Sequence, residues 1–346
     1  MKQQKIARAI DIGFGYTKLS RSTIDASYRM SSMAFPSIPA PADGHMDIAS
    51  GEMQKLQVVN VEVDGVRYIV GPDSMLAASG RQTRAVEDLF FDSPQYLALY
   101  RGALAYMDLP ASTDTVHALG MGLPLTVWRD VGLRERIKTR MTGSFTVPIP
   151  NSRATRAINV QHVQLWPQVL GALVSISTEA GEQADISNQN NLVIDVGYGT
   201  MLWLVSSGYQ PQPGRSEGNK GGVSSILKVV AKALDPTVSN DPRILDRIDT
   251  SLRTGKPLII NGTEVDLNRC KAIAHSQAQQ HLHDLLETIG THKDLDNIFL
   301  AGGGAHLYRP LLATAFKGRL IREQTNEPQM ANLKGYQNLV ERMLAQ

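Results

Sequence analysis

The chain has 346 residues, room for two domains at roughly 150 residues each. With 42% hydrophobic and 20% charged residues it is no disordered chain, and 35 Lys+Arg against 33 Asp+Glu leaves too little excess for a dedicated nucleic-acid groove. A single cysteine, Cys270, excludes an internal disulfide framework and a four-cysteine zinc site.

No apolar run reaches the roughly 20 residues of a spanning helix. The opening MKQQKIARAID lacks the apolar stretch of a signal peptide. The expectation is a soluble, cytoplasmic protein with two packed α/β cores.

Ile6 to Leu19 reads as strand, Gly turn and strand, and the Pro-rich 36–46 as a loop. Val58 to Val70 alternates around Asp64-Gly65, a type I′ hairpin. Ser93-Pro94 caps a helix with Tyr96, Leu97, Tyr100, Ala103, Leu104 and Met107 on one stripe. Val116 to Val127 reads as a buried strand with a turn at 122–125. Val131 to Met141 reads as a basic helix, and Ala157 to Leu165 as one strand.

Pro167 opens a helix over Gln168 to Thr178. Leu192 to Val205 repeats the opening strand–turn–strand, and 206–222 reads as a polar, flexible loop. Ile226, Val229, Val230 and Ala233 mark a helix. Asp241-Pro242 caps another that Gly255 ends. A hairpin around Asn261-Gly262 precedes a long helix from Cys270 to Ile289. A short strand, Asn297 to Leu300, runs into Gly302-Gly303-Gly304, and the last helix carries Leu333, Tyr336, Leu339 and Val340.

The informative signal is a repeat. Ala9-Ile10-Asp11-Ile12-Gly13-Phe14-Gly15-Tyr16-Thr17 matches Val193-Ile194-Asp195-Val196-Gly197-Tyr198-Gly199-Thr200, with the aspartates at 11 and 195 standing 184 residues apart. An Asp-x-Gly-x-Gly turn arises by chance about 0.15 times in a chain of this composition. Two, one in each half and each after an apolar strand, imply two related domains that each open on such a hairpin.

Glycine tips let backbone N–H groups approach an anion, and consecutive turn amides form an anion-binding nest. A carboxylate beside a polyphosphate needs a cation between them. Asp11 and Asp195 therefore predict a Mg2+ held largely through waters. Lys18 offers a point charge to a phosphate. Three glycines at 302–304 leave room for a flat base or ribose. No P-loop pattern occurs anywhere. Gly171 and Ala172 in one helix and Gly335 in the last predict a close helix crossing that can act as a hinge.

Five segments in order resemble the actin/Hsp70/sugar-kinase ATPase superfamily. They are phosphate-1 (Asp11 to Lys18), connect-1 (Trp166 to Leu173), phosphate-2 (Asp195 to Thr200), adenosine (Ala301 to Ala305) and connect-2 (Ala331 to Tyr336). Within it the chain is most similar to bacterial actin-like proteins of the plasmid-segregating ParM/StbA kind. Gly122-Leu123-Pro124-Leu125 looks like a segment of that family's first domain. Leu202 to Val205 and Gly221 to Ser225 resemble the ParM-like D proteins of PRTRC plasmid systems.

The resemblance implies an actin-like ATPase fold, two RNase H-like α/β domains around a nucleotide cleft. The boundaries it implies are 1–165 plus 331–346 and 166–330. It implies ATP or ADP with Mg2+ near Asp11 and Asp195. Gly13, Phe14, Gly15, Tyr16 and Lys18 would hold the phosphates with Gly197, Tyr198, Gly199 and Thr200, and Gly302, Gly303 and Gly304 the adenosine. Gln168 would orient the attacking water, with Asp11 and Asp195 completing the catalytic set. Glu217 and Lys220 stay outside it, because 206–222 departs from the ParM pattern.

The leading expectation is a slow, polymerisation-coupled ATPase whose filaments segregate plasmid DNA through a DNA-binding adaptor, with no membrane and no direct DNA contact. The rivals are a non-polymerising ATP-binding scaffold, a small-molecule kinase, which lacks an assignable base near an acceptor, and a chaperone-type nucleotide switch, for which no peptide-binding domain follows the last helix. The basic helix 131–141 reads as a solvated face or a contact surface. Cys270, His275, His281 and His283 read as structural.

Overall fold

A computed structural model describes residues 5–41, 56–77, 88–181, 186–323 and 327–346. It divides into two units, residues 1–175 with 332–346, and residues 176–331.

The first unit is built on strand Ala7–Ile12, buried at every position. It pairs antiparallel with Tyr16–Ser20, which pairs antiparallel with Ser32–Pro36. On its other side Ala118–Leu123 runs parallel to it, and Val163–Pro167 runs parallel to that strand. Strands covered on both faces read as continuous apolar runs, which is why these segments were visible without alternation. Helix Pro94–Tyr106 packs on this sheet, with the Ser93 hydroxyl accepting the Tyr96 N–H at its start.

The second unit repeats the order. Asn190–Val196 is its central strand, antiparallel to Met201–Ser207 and parallel to Asn297–Ala301, which is parallel to Ile321–Glu323. Its core joins these strands to helices Val223–Leu234, Pro242–Thr254, Leu267–Ile289 and Ala305–Ala315. Both hairpin turns read from sequence are present, Asp64-Gly65 at φ 51° and 78° and Asn261-Gly262 at φ 50° and 77°. Asp241 caps its helix and Gly255 ends it in the left-handed region, φ 72°.

Several expectations need correction. The strand at 116–127 ends at Leu123, and Leu125–Arg129 is a helix. The alternating run 157–165 is two strands, Thr155–Val160 and Val163–Pro167, because the chain bends at 161–162 and joins different sheets. The Pro-rich 36–46 contains the strand Ala40–Pro41, and its remainder from 42 lies outside the described residues. Helix Val223–Leu234 buries Ile226, Leu227, Val230 and Ala231, whereas Val229 is exposed.

The segment 206–222 is not a free loop. Gln210–Pro211 and Glu217–Asn219 both pair with Met201–Ser207, extending the sheet. Arg215 pins it by donating to the Ile289 and Thr291 carbonyls and to both oxygens of Asp294. The basic helix Val131–Met141 likewise engages three of its four cations within the unit. Arg136 and Arg140 pair with Asp92, and the Arg134 guanidinium lies 5.0 Å over the Trp128 ring. Among the described residues no helix is long and apolar enough to cross a membrane.

Candidate functional site

The two Asp-x-Gly-x-Gly hairpins are the same structure twice. Gly13 N–H donates to the Tyr16 carbonyl at 3.1 Å, and Gly197 N–H donates to the Thr200 carbonyl at 2.9 Å. Asp11 stands opposite Lys18 in the ladder, and Asp195 stands opposite Leu202. Both aspartates are buried, near the carboxyl ends of central strands, where open α/β sheets place their ligands.

These bonds alter the expected nest. Gly13 and Gly197 amides are used inside the turns. Phe14 and Gly15 in the first tip, and Gly199 and Thr200 in the second, have backbone amides without a hydrogen bond among the described residues. None of the four tip glycines has positive φ. A Cβ on Gly13 or Gly197 would lie 3.5 or 3.4 Å from a carbonyl oxygen, an ordinary or only slightly tight contact. The fold itself therefore does not demand glycine at these two positions, and the space beside them stays open to an approaching group.

In the first unit, Lys18 Nζ sits 2.8 Å from Asp11 Oδ2. Asp11 Oδ1 is buried with no hydrogen-bond partner. A sealed carboxylate oxygen without a donor is costly, and a cation or its water would complete it. The Phe14 side chain does not face a phosphate. It plugs into Phe90 and Phe91, at 5.4 and 5.5 Å between ring centroids, and both rings pack on Tyr96. Only the Phe14 amide remains for an anion. Burial foremost, and then the Asp11 charge, push the Tyr96 hydroxyl far above its ordinary range. The Tyr16 ring is exposed.

Gln168 is the first residue of helix Gln168–Glu179, directly after strand Val163–Pro167. It lies two strands from Asp11 in the same sheet, about 10 Å at the usual strand spacing. Its side chain is buried, and its amide makes no hydrogen bond with any described residue. Its backbone carbonyl accepts the Tyr336 hydroxyl at 2.8 Å. Tyr336 is in turn enclosed by glycines. A Cβ on Gly122 would meet its ring at 2.9 Å, and one on Gly171 would meet its Cε1 at 2.5 Å. Gly335 lies directly on the Gly171 backbone, and Asn332 Oδ1 accepts the Ala172 N–H. The close crossing read from the small residues is present.

In the second unit the glycines at 302–304 have distinct reasons. Gly302 has φ 90°, and a Cβ there would stand 2.7 Å from the Val196 carbonyl carbon and overlap Asp195 Oδ1. A Cβ on Gly304 would press on Val196 and Val223 at 2.5 Å. Only Gly303 is exposed, its nearest neighbour Gln329 Cβ at 3.9 Å. Two of the three are thus fitted to the second hairpin, and one offers open backbone. Helix Val223–Leu234 locks that hairpin from behind, Val223 N–H donating to Gly197 O and Ser224 N–H to Tyr198 O.

Among the described residues no cluster of three or more His, Cys, Asp or Glu side chains could hold a metal. A cation at Asp11 or Asp195 would take most of its ligands from water and phosphate, and the orphaned Asp11 Oδ1 fits that arrangement. Sequence reasoning missed the aromatic socket at 90, 91 and 96 and the Tyr336 pin. The Phe90-Phe91 doublet and Gly122 were the available signals.

Two sheets of one strand order, each opening on an acidic glycine hairpin, define an actin-like fold. Residues 9–171 match the N-terminal domain model of actin-like proteins, and residues 193–314 match the C-terminal model of the archaeal MreB-like actin homologue. Among solved structures, the apo psk41 ParM protein superposes with a TM-score of 0.71 at 16% identity, covering 99% of this chain and 100% of that one. The archaeal actin homologue Ta0583 in complex with ADP gives 0.74 at 18% identity, covering 97% and 99%. A 15-stranded ParM filament from Clostridium botulinum gives 0.72 at 18%, covering 98% and 100%. No curated protein matches the sequence significantly. The chain thus pairs an actin-like N-terminal domain with an MreB-like C-terminal domain, and ParM proteins and archaeal actin homologues are its structural neighbours.

Proposed function

We propose that this chain binds and slowly hydrolyses Mg-ATP and assembles with copies of itself into filaments that segregate plasmid DNA in the cytoplasm. The observation that carries the reading is the duplicated hairpin, with one turn bond, one buried aspartate and two unengaged amides in each copy. The ADP complex of one structural neighbour and the filament of another support it.

In this reading the Phe14, Gly15, Gly199 and Thr200 amides cradle phosphate oxygens, with Gly13, Tyr16, Gly197 and Tyr198 shaping the tips. Lys18 leaves Asp11 to meet a phosphate. Asp11 and Asp195 hold the waters of a Mg2+, which would screen the phosphate charge. Gly302 and Gly304 seat the second hairpin, and Gly303 presents open backbone to the adenosine. The Gln168 side-chain amide, without a hydrogen bond to any described residue, orients the attacking water. A glutamine positions water but is a poor base, so turnover is slow. Three of the four cations of helix 131–141 have partners within the unit, which favours a DNA-binding adaptor over direct contact with DNA.

The test pairs light scattering with phosphate release. Wild type is expected to scatter and pellet with Mg-ATP at tens of micromolar or below. Gln168→Ala is expected to assemble but release phosphate about 100-fold more slowly. Asp195→Ala is expected to do neither. Absence of assembly with ATP and with a slowly hydrolysed analogue refutes the filament reading. Equal inertness of wild type and both variants leaves the ATP-binding scaffold, and ADP release stimulated by a metabolite leaves the kinase.

A further inference from the structure

The last helix, Ala331–Ala345, carries a cation that its own packing does not explain. Lys334 is 6% exposed and makes no hydrogen bond or ion pair with any described residue. Its Nζ is nevertheless not among the sealed, partnerless atoms. The side chain is enclosed, but its ammonium is not fully sealed. Enclosing a lysine with no acid beside it costs free energy unless an anion completes it.

The register of the helix locates that ammonium. Val340 packs with Ala7 and Ala118 near the starts of their strands. Tyr336 covers Gly120 and Gly122, further along the second of these strands. The two strands run parallel, so the helix runs against them, and its first turns reach the carboxyl ends where Asp11 stands. Gln337 accepts the Ser20 hydroxyl at 2.7 Å and donates to the Ala7 carbonyl.

Lys334 lies one turn before Gln337, on the face between Gln337 and Asn338. One turn is about 5.4 Å, and two strand residues are about 6.8 Å. Stepping back from Ser20 by that much along the same strand face arrives at Lys18. Asp11 neutralises Lys18 at 2.8 Å, and Lys334 is left as surplus positive charge at the same level of the sheet.

We propose that Lys334 is a second phosphate-contacting cation of the first hairpin, seating the anionic chain of a nucleotide beside Lys18. The inference rests on the nucleotide-binding reading above and adds a residue from the last helix to it. Because Lys334 precedes Gly335, the same contact ties the bound phosphate to the helix whose Tyr336 holds the Gln168 backbone.

The experiment is fluorescence titration of the full chain with Mg-ATP, Mg-ADP and adenosine, for wild type, Lys334→Met, Lys334→Gln and Lys334→Arg. Both neutral variants are expected to weaken ATP and ADP about tenfold, to leave adenosine unchanged and to flatten the salt dependence of ATP binding. Lys334→Arg is expected to recover most of the loss. If Lys334→Met does not fold, Lys334→Gln carries the comparison. Equal weakening of all three ligands, or unchanged ATP affinity in folded neutral variants, overturns the inference alone. Wild type that binds no ATP refutes the nucleotide reading, and this inference falls with it.

Discussion

Replacing Gly335 with alanine tests whether the helix crossing is as tight as the glycines indicate. The added Cβ would stand 2.5 and 2.6 Å from the Gly171 carbonyl carbon and Cα, and closer still to the Gly171 oxygen. Carbon atoms pack at about 3.5–4.0 Å, so the two backbones must part by about 1 Å. Neither can yield easily, because Gly171 is itself held against Tyr336 and Asn332. Overpacking costs about 1–3 kcal/mol, and loss of the Tyr336–Gln168 hydrogen bond adds about 1 kcal/mol. Alanine returns about 1 kcal/mol of helix propensity. The net loss is about 2 kcal/mol. Urea unfolding followed by the fluorescence of Trp166, which stacks on Tyr336 at 6.2 Å, reads the first unit where the change is made. A stability within about 0.5 kcal/mol of wild type would refute the packing account. Phosphate release should slow as well, because the displaced backbone is that of Gln168.

The glycine run at 302–304 separates packing from binding. Gly302→Ala is expected to cost about 2 kcal/mol in the second unit, from its positive φ and the contact with Val196, whereas Gly303→Ala stays within about 0.5 kcal/mol; equal losses by urea unfolding would contradict this. Phe14→Ala empties the socket of Phe90, Phe91 and Tyr96 and should cost about 3 kcal/mol, with an ATP affinity loss that Phe14→Leu largely avoids in calorimetry. His281 is held below its ordinary value of 6.5, by desolvation above all, with Asp284 partly opposing. The unfolded chain then takes up its proton first as pH falls. The stabilisation is whole above about 6.5 and is lost below it, and His281→Asn should flatten the pH dependence of second-unit stability measured between pH 7 and 5.

What could be read in the sequence was local chemistry. Asp64-Gly65 and Asn261-Gly262 announce their turns because left-handed backbone is cheap for those residues. Ser93 and Asp241 announce helix starts through their side-chain oxygens. The repeated hairpin was legible because its acid and glycines are contiguous. What escaped depends on partners distant in the chain. The strand Glu217–Asn219 has little apolar content, and it forms because Met201–Trp203 offers it an edge and Arg215 anchors the approach. The alternation from 155 to 167 continues across a bend that only two separate sheets reveal. Gly302 and Gly304 look like a ligand surface in sequence, and the reason for them is Val196 and Val223, each about 80 residues or more away.

The duplication is closest where the chain packs and diverges where it meets charge. Ile10 and Ile194, and Ile12 and Val196, are fully buried equivalents. Lys18, in contrast, corresponds to Leu202, which is buried beneath Gly218 of the added edge strand. The first unit covers the equivalent strand as well, with Ser32–Pro36, but keeps Lys18 at this position against Asp11. The second closes that position and stiffens its tip with the amides of Val223 and Ser224. One copy sets a cation against its aspartate, Lys18 beside Asp11, and the other sets an apolar side chain there, Leu202 opposite Asp195. Leu202→Lys consequently should not improve phosphate binding. It would press a longer, charged side chain under Gly218 opposite Asp195 and destabilise the second unit, which thermal unfolding of that variant can check.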